Sequence, residues 1–386
     1  MSGAAPYERR LLLRDRGGLL RKLWRIPWSF VLLLAALASI GYVALYSAGG
    51  GPEPYATKHA LRFGFGLVLM LSLALVDIRL IARLAWAGYA LGLGLLVLVL
   101  LHGNVGKGAQ RWIDIGPLQL QPSELMKIML ALALAAWFRR AGRERMGNPL
   151  FLLPPALLVL APVGLILKQP NLGTGLITAM IGGAVFFAAG ARLWQFALAL
   201  GAAGIAAPIA YAHLHDYQRA RITTFLDPES DPLGAGYNII QSKIALGSGG
   251  IWGRGFLQGT QGHLNFLPEK QTDFIFTMIA EEFGLVGSLA TLALLVLAIG
   301  FCFLTAFRCR HAFGRLLAVG LGTNLFLYVF VNIAMVTGAI PVGGVPLPLI
   351  SHGGSAMLTT MLGFGLLLSV HVHRDVEFAP AGEGYR

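Results

Sequence analysis

The stretch IARLAWAGYALGLGLLVLVLL (81–101) carries a single charge, Arg83, in its whole length. An apolar run of about 18 residues or more with few charges is long enough to cross a bilayer as a helix. Working outward, comparable runs occupy 28–48, 59–77, 122–138, 151–168, 172–190, 193–213, 273–304, 313–337 and 351–370. The pattern predicts an all-α integral membrane protein, a polytopic bundle of about ten transmembrane helices. Composition agrees: of 386 residues, 56% are hydrophobic and only 12% charged, against about 25% charged in soluble domains. That excludes an ordinary cytosolic enzyme and a long disordered chain.

The net charge of +12 first suggests nucleic acid, but its placement does not. Arg9, Arg10, Arg14, Arg16, Arg21, Lys22 and Arg25 precede the first run. Alternate connections then hold Arg79 and Arg83; Arg139, Arg140, Arg143 and Arg145; Arg192; Arg308, Arg310 and Arg315; and Arg374 with Arg386. Cytoplasmic segments of membrane proteins collect Lys and Arg, so both termini are expected in the cytoplasm and no nucleic-acid partner is needed. The first run is too long for the core of a cleaved signal peptide and reads as a retained anchor.

The chain accordingly divides into a basic cytoplasmic arm (1–27), seven transmembrane helices (28–213), a large extracytoplasmic loop (214–272), three more helices (273–370) and a cytoplasmic tail (371–386). The large loop is expected to be a partly ordered cap. Asp227-Pro228 reads as a helix start, YNIIQSKIAL (237–246) as a short amphipathic helix and Gly247 as its stop. Trp252, Phe256 and Phe266 suit a membrane interface. A shorter outer segment, HGNVGKGAQRWIDIGPLQLQP (102–122), also exceeds an ordinary connection. Cys302 and Cys309 are too far apart along one helix for a disulfide and belong to no metal or redox cluster. The segment GSGGIWGRG (247–255) lacks the GK[ST] ending of a phosphate loop, and tight turns explain it better.

Ionisable groups at membrane depth are costly and therefore informative. Glu124 and Lys127 in QPSELMK share a helix face, as a register-fixing ion pair or as part of a site. In EKQTDFIFTMIAEEFG (269–284), Glu269, Lys270, Asp273, Glu281 and Glu282 crowd one helix entrance. Thr272 or Asp273 there caps the helix, or the Asp273 carboxylate offers a general base, with Glu281 about 80° round the helix from it. Arg111, Lys168 and Lys243 face the same side, as does PVGGVPLPLISHGG (341–354), whose Pro/Gly density suggests broken backbone beside a cavity. An outward-opening cavity with basic groups (Arg111, Lys127, Lys168, Lys243) and a poised carboxylate suits an anionic substrate attached to membrane lipid. A membrane transferase and a transporter both fit; a transporter would show inverted repeats with paired broken helices, and none is apparent.

At these same residues the chain resembles the SEDS family (shape, elongation, division and sporulation proteins), and its elongation branch more than its division branch. The stretches are GAQRWIDIGPLQLQPSELMK (108–127), KQPNLGT (168–174), AGYNIIQSKIALGSGGIWGRG (235–255), FLPEKQTDFIF (266–276) with AEEFG (280–284), and GGVPLPLISHGGSAM (343–357). The resemblance implies a peptidoglycan glycosyltransferase of the cytoplasmic (inner) membrane that polymerises lipid II at the outer face for cell elongation and rod shape. Lipid II flipping is the rival activity. It places the family's essential aspartate on Asp273, its Glu and Lys on Glu124 and Lys127, and its loop arginine on Arg111. Lys168, Lys243 and Lys270 complete the expected substrate-binding set. No cofactor is certain; the pyrophosphate leaving group needs Lys and Arg or a divalent cation, magnesium or manganese. The chain has no SxxK or KTG segment of a transpeptidase, so the resemblance implies a class B penicillin-binding protein as partner, within the elongation machinery. Two positions depart from the family pattern. Asn171 stands where QPDLGT has its aspartate, and His352 and Ala356 stand where SYGGSS has Tyr and Ser.

Overall fold

Each of the ten apolar runs is a helix in the computed structural model, which describes residues 18–106, 109–115, 118–139, 143–212, 219, 223–225, 227, 235–260, 267 and 269–378. After a short helix α1 (Leu19–Trp24) come α2 (Trp28–Gly49), α3 (Ala56–Ala74) and α4 (Ile78–His102). Three strands follow, β1 (Asn104–Gly106), β2 (Ala109–Ile115) and β3 (Leu118–Leu120). Then come α5 (Pro122–Phe138), α6 (Pro149–Lys168), α7 (Leu172–Ala189) and α8 (Leu193–Ala212). Helix α9 (Ala235–Ser248) precedes α10 (Ile275–Arg308), α11 (Ala312–Val336) and α12 (Gly354–Val372). Seven of these helices are long and apolar enough to cross a membrane by length and composition. Pro228 of the expected helix start, the interfacial Phe266, most of the basic arm, Arg140 and Arg386 lie outside the described residues.

Local chemistry sets the ends. Asp77 caps α4 by accepting from the Arg79 amide at 2.7 Å, and Gly50 stops α2 in the left-handed region at φ 68°, where only glycine is unstrained. Pro122 opens α5, a position where its missing N–H is harmless. Burial then ranks the helices. Nearly every residue of α5 is buried, and α11 and α12 follow, while α8 presents Leu198, Leu200 and Ile205 outward. Outward leucines are normal here, because the expected surroundings of the bundle are acyl chains rather than water. Around α5 stand α4, α7 and α11, with α12 packed on α3 and α10 on α2, α9 and α11.

The all-α polytopic class holds, with one addition and two shifted boundaries. Between α4 and α5 three short strands pair antiparallel in the order β1-β2-β3, with Asn104 opposite Trp112 and Ile113 opposite Leu120. The eighth run begins two residues late, at Ile275, and extends to Arg308, with a break at Gly284 (φ 66°, ψ −161°). The tenth begins at Gly354 rather than 351, because residues 348–350 form a turn and Gly353 is extended.

The amphipathic helix expected at 237–246 is present as α9, and it ends at Ser248, one residue beyond Gly247. The glycine-rich segment after it is a docking surface. The amides of Arg254 and Gly255 donate to the carbonyls of Glu281 and Glu282, and those of Leu285 and Val286 donate to Gly250 and Ile251. A Cβ on Gly249 or Gly253 would collide with the α10 backbone at Ala280 or Glu282. Close backbone approach therefore explains these glycines. Cys302 and Cys309 are free and buried.

Candidate active site

The loop between α11 and α12 organises the site. At its start Lys243 of α9, itself exposed, lies over Gly338, with Nζ 2.9 Å from where a Cβ would stand. This puts an ammonium at the negative end of α11. Gly343 abuts Gly173 in the first turn of α7, and Gly344, at φ 67°, faces the carboxylate of Asp273. Val345 is bound by Asn332, whose Nδ2 donates to it at 2.8 Å. Further on, Ser351 Oγ donates to the Thr272 carbonyl at 2.6 Å and accepts from the Leu347 amide at 2.7 Å. The His352 amide donates to Gln271 at 2.8 Å. Broken backbone at this depth is tolerated because protein groups satisfy it.

Asp273 is not a helix cap. The cap position of α10 belongs to Phe274, with no side-chain hydrogen bond. Asp273 precedes it in a turn opened by Glu269, which has φ 58° and whose Oε2 accepts from Thr272 Oγ1 at 3.0 Å. Its side chain is half-buried, and its carbonyl accepts from Asn332 Nδ2 at 2.9 Å. Lys270, in the same turn, has its pKa lowered by burial.

Glu281 and Glu282 go elsewhere. Both are buried; Glu281 accepts from Thr260 at 3.2 Å, with Arg254 donating to Thr260 at 3.0 Å, and Glu282 accepts from Ser47 of α2. Glu281 and Asp273 therefore face different segments. The carboxylates at 281 and 282 hold the glycine-rich segment and α2 against α10.

The Glu124–Lys127 pair closes at 2.8 Å. Lys127 is 1% exposed and Glu124 8%. Tyr328 of α11 completes the group, donating to Glu124 and accepting from Lys127. Beside it lies a pocket lined by Ile128, Asn324, Tyr328, Pro348 and Thr359. Lys127 thus faces Tyr328, not open space.

Arg111 on β2 donates to the carbonyls of Gln169 at 3.2 Å and Pro170 at 2.5 Å. It thereby pins the α6–α7 turn that carries the exposed Lys168. Asn171, in that turn, caps α7 by accepting from the Thr174 amide at 3.4 Å. His352 lies between the ring of Tyr55 and the guanidinium of Arg62, with Arg62 Nη1 3.3 Å from His352 Nε2. Among the described residues no cluster of three or more His, Cys, Asp or Glu is arranged to hold a metal ion.

Arg62, Tyr328 and Asn332 were not singled out from sequence. Tyr328 and Asn332 are polar interruptions of one apolar run, four residues apart and so on one helix face. The expense of polar groups at membrane depth was the signal available.

Residues 24–376 match the model of the FtsW/RodA/SpoVE family of cell cycle proteins. The chain belongs to this family. Within it, the SEDS chain is 45% identical to the peptidoglycan glycosyltransferase MrdB of Escherichia coli K12, over 90% of this chain and 94% of the relative. It is 36% identical to the probable peptidoglycan glycosyltransferase FtsW of Idiomarina loihiensis, over 92% and 89%. Among solved structures, the rod shape determining protein RodA of Thermus thermophilus superposes with a TM-score of 0.69 at 32% identity, covering 90% of this chain and 97% of that one. A chain from a peptidoglycan synthase complex, solved to explain how polymerization and crosslinking are coordinated, gives 0.78 at 38%, covering 90% and 98%. The polytopic helical architecture is shared throughout.

Proposed function

We propose that this SEDS protein is a peptidoglycan glycosyltransferase that polymerises lipid II into β-1,4 glycan strands, with Asp273 as general base. The observation that carries the reading is the placement of Asp273. Its carboxylate stands outside the helix it precedes, half-buried, against a glycine that leaves room beside it. The 4-hydroxyl of an acceptor N-acetylglucosamine is a weak nucleophile that must lose its proton as it attacks, and a positioned carboxylate supplies that need. Attack on the anomeric carbon of the α-linked donor, with departure of undecaprenyl pyrophosphate, inverts that carbon and gives the β-linkage. Retention would need a second carboxylate about 5 Å from the first. Glu281 and Glu282 are engaged elsewhere.

The departing pyrophosphate needs positive charge. Lys168 and Lys243 are exposed at either side of the 338–353 loop, and Lys270 is in the Asp273 turn. Arg111 acts by holding the Lys168 turn. Glu124 and Lys127 act through Tyr328 on the register of α11. A divalent cation finds no ready-made cage among the described residues; magnesium commonly binds through one or two carboxylates together with substrate phosphates, and Asp273 or Glu269 would be its protein ligand.

The site is assigned to the outer face of the cytoplasmic membrane, with both termini inside, on the strength of the Lys/Arg distribution. Crosslinking is assigned to a class B penicillin-binding protein of the elongation machinery; the likeness to a chain of a peptidoglycan synthase complex supports that partnership.

The test is polymerisation in sealed vesicles holding lipid II only in the leaflet that the site faces. A transferase makes glycan there without moving lipid. Absence of polymer with the partner present, together with transfer of lipid II between leaflets, would reject the proposal in favour of a flippase.

A further inference from the structure

Asn332 lies on α11 one turn beyond Tyr328 and is completely buried. Both protons of its amide are used, one on the carbonyl of Asp273 at 2.9 Å and one on that of Val345 at 2.8 Å. Those carbonyls belong to the two segments that enclose the Asp273 carboxylate, whose Oδ2 lies 3.6 Å from the place of a Cβ on Gly344. One planar NH2 group therefore fixes the distance between the residue bearing the carboxylate and the loop it faces. The other amide atom, Oδ1, is buried and receives no donor among the described residues. A buried carbonyl without a donor is unfavourable, and a leucine of similar volume would remove it. The amide stands there in spite of that atom because its two N–H groups serve the carbonyls of residues 273 and 345.

We infer that Asn332 is a positioning residue for Asp273, holding its carboxylate against Gly344 by tying the backbone of residue 273 to that of residue 345. The inference rests on the reading of Asp273 as the base. Leucine offers no donor and serine offers one for two acceptors. Neither change unfastens the loop, because Ser351 and the His352 amide still bind Thr272 and Gln271. What is lost is the placement of residue 273 itself. A displacement of about 1 Å in a reacting group lowers a rate by about 10²-fold.

Full-length Asn332→Leu, Asn332→Ser and Asp273→Asn, purified in detergent, test this by kcat, KM and pH–rate profile on lipid II beside the thermal midpoint. The Leu variant is expected to stay folded at the assay temperature but to melt below the wild-type midpoint, because the carbonyls of residues 273 and 345 lose their donor. Its KM should stay within about twofold, its kcat should fall by about 10- to 100-fold, and the acid limb of its pH profile should move. The Ser variant should fall between it and wild type. Wild-type kcat in either Asn332 variant overturns the inference. A kcat loss that follows a lowered midpoint and returns on cooling also overturns it, since a purely structural amide behaves that way. If the Leu variant does not fold, the Ser variant decides alone. Wild-type activity in Asp273→Asn rejects the base itself, whereas an inactive Asp273→Asn beside fully active Asn332 variants rejects only the clamp.

Discussion

Two helix entrances in this protein carry ionisable groups, and they are built in opposite ways. At α5 the helix begins with Pro122, and Glu124 and Lys127 turn inward to a sealed group with Tyr328. Every charge there has a partner and none has an opening. At α10 the carboxylate of Asp273 precedes the helix, is half-buried and faces Gly344, while its backbone carbonyl is held by Asn332. The first arrangement suits holding helices in register, since a buried pair is kept by its geometry. The second suits chemistry, because a base must reach the proton it removes. Position at a helix entrance does not separate the two; access does.

The sharpest way to break the contrast is Asp273→Asn. The substitution keeps size, and no cap is lost because Phe274 holds that position. Polymerisation is expected to fall by about 10²–10⁴-fold, the range contributed by a positioned base, with the thermal midpoint nearly unchanged. Both are read on the purified protein. A rate above a few per cent of wild type would make the two entrances equivalent and remove the base.

The sealed entrance should respond in stability first. Glu124→Gln leaves Lys127 buried with a neutral partner, and removing one member of a buried pair costs about 3–5 kcal/mol. Neutralising both, as Glu124→Gln with Lys127→Met, is expected to restore the melting midpoint and expression. Activity should return only in part, because Tyr328 loses its Lys127 donor, has an amide oxygen in place of the carboxylate, and sits one turn from Asn332, which holds Asp273. Full activity in the double variant would confine the pair to folding. Inactivity equal to that of Asp273→Asn would place Lys127 on the substrate.

The same contrast marks what was legible in the sequence. The ten helices were readable because apolar runs of this length are a local property, and so was Asp273, an ionisable group at the mouth of one of them. Its neighbours were harder to see. Tyr328 meets Glu124 across 204 positions of chain, and Asn332 meets Asp273 across 59, and no periodicity reports a partner at such separation. The meander at 104–120 was missed because its outer strands have only three residues each, too short for alternation to register. The five ionisable groups at the α10 entrance looked like one cluster, yet the fold sends them to different segments, with Glu281 toward Thr260, Glu282 toward Ser47 and Asp273 toward Gly344.

The smallest effect is expected at a third entrance, that of α7, where Asn171 stands in place of the family's aspartate. A carboxylate here would lie near Lys168 and invites an electrostatic or metal-binding role. The structure gives Asn171 a backbone task instead, accepting from the Thr174 amide as the cap of α7. Asparagine and aspartate cap helices about equally well, so this task survives the exchange. Asn171→Ala should therefore lower stability by about 1 kcal/mol, the usual worth of a cap. Asn171→Asp should differ from wild type by a few tenths, in the stabilising direction if at all, since a negative charge favours a helix N-terminus. Thermal melts of both variants measure the order. Polymerisation by Asn171→Asp should stay within about threefold of wild type if the cap is the whole of the role. A gain of tenfold or more, appearing only with added magnesium or manganese, would instead assign that position to holding a cation and make α7 a chemical entrance like α10.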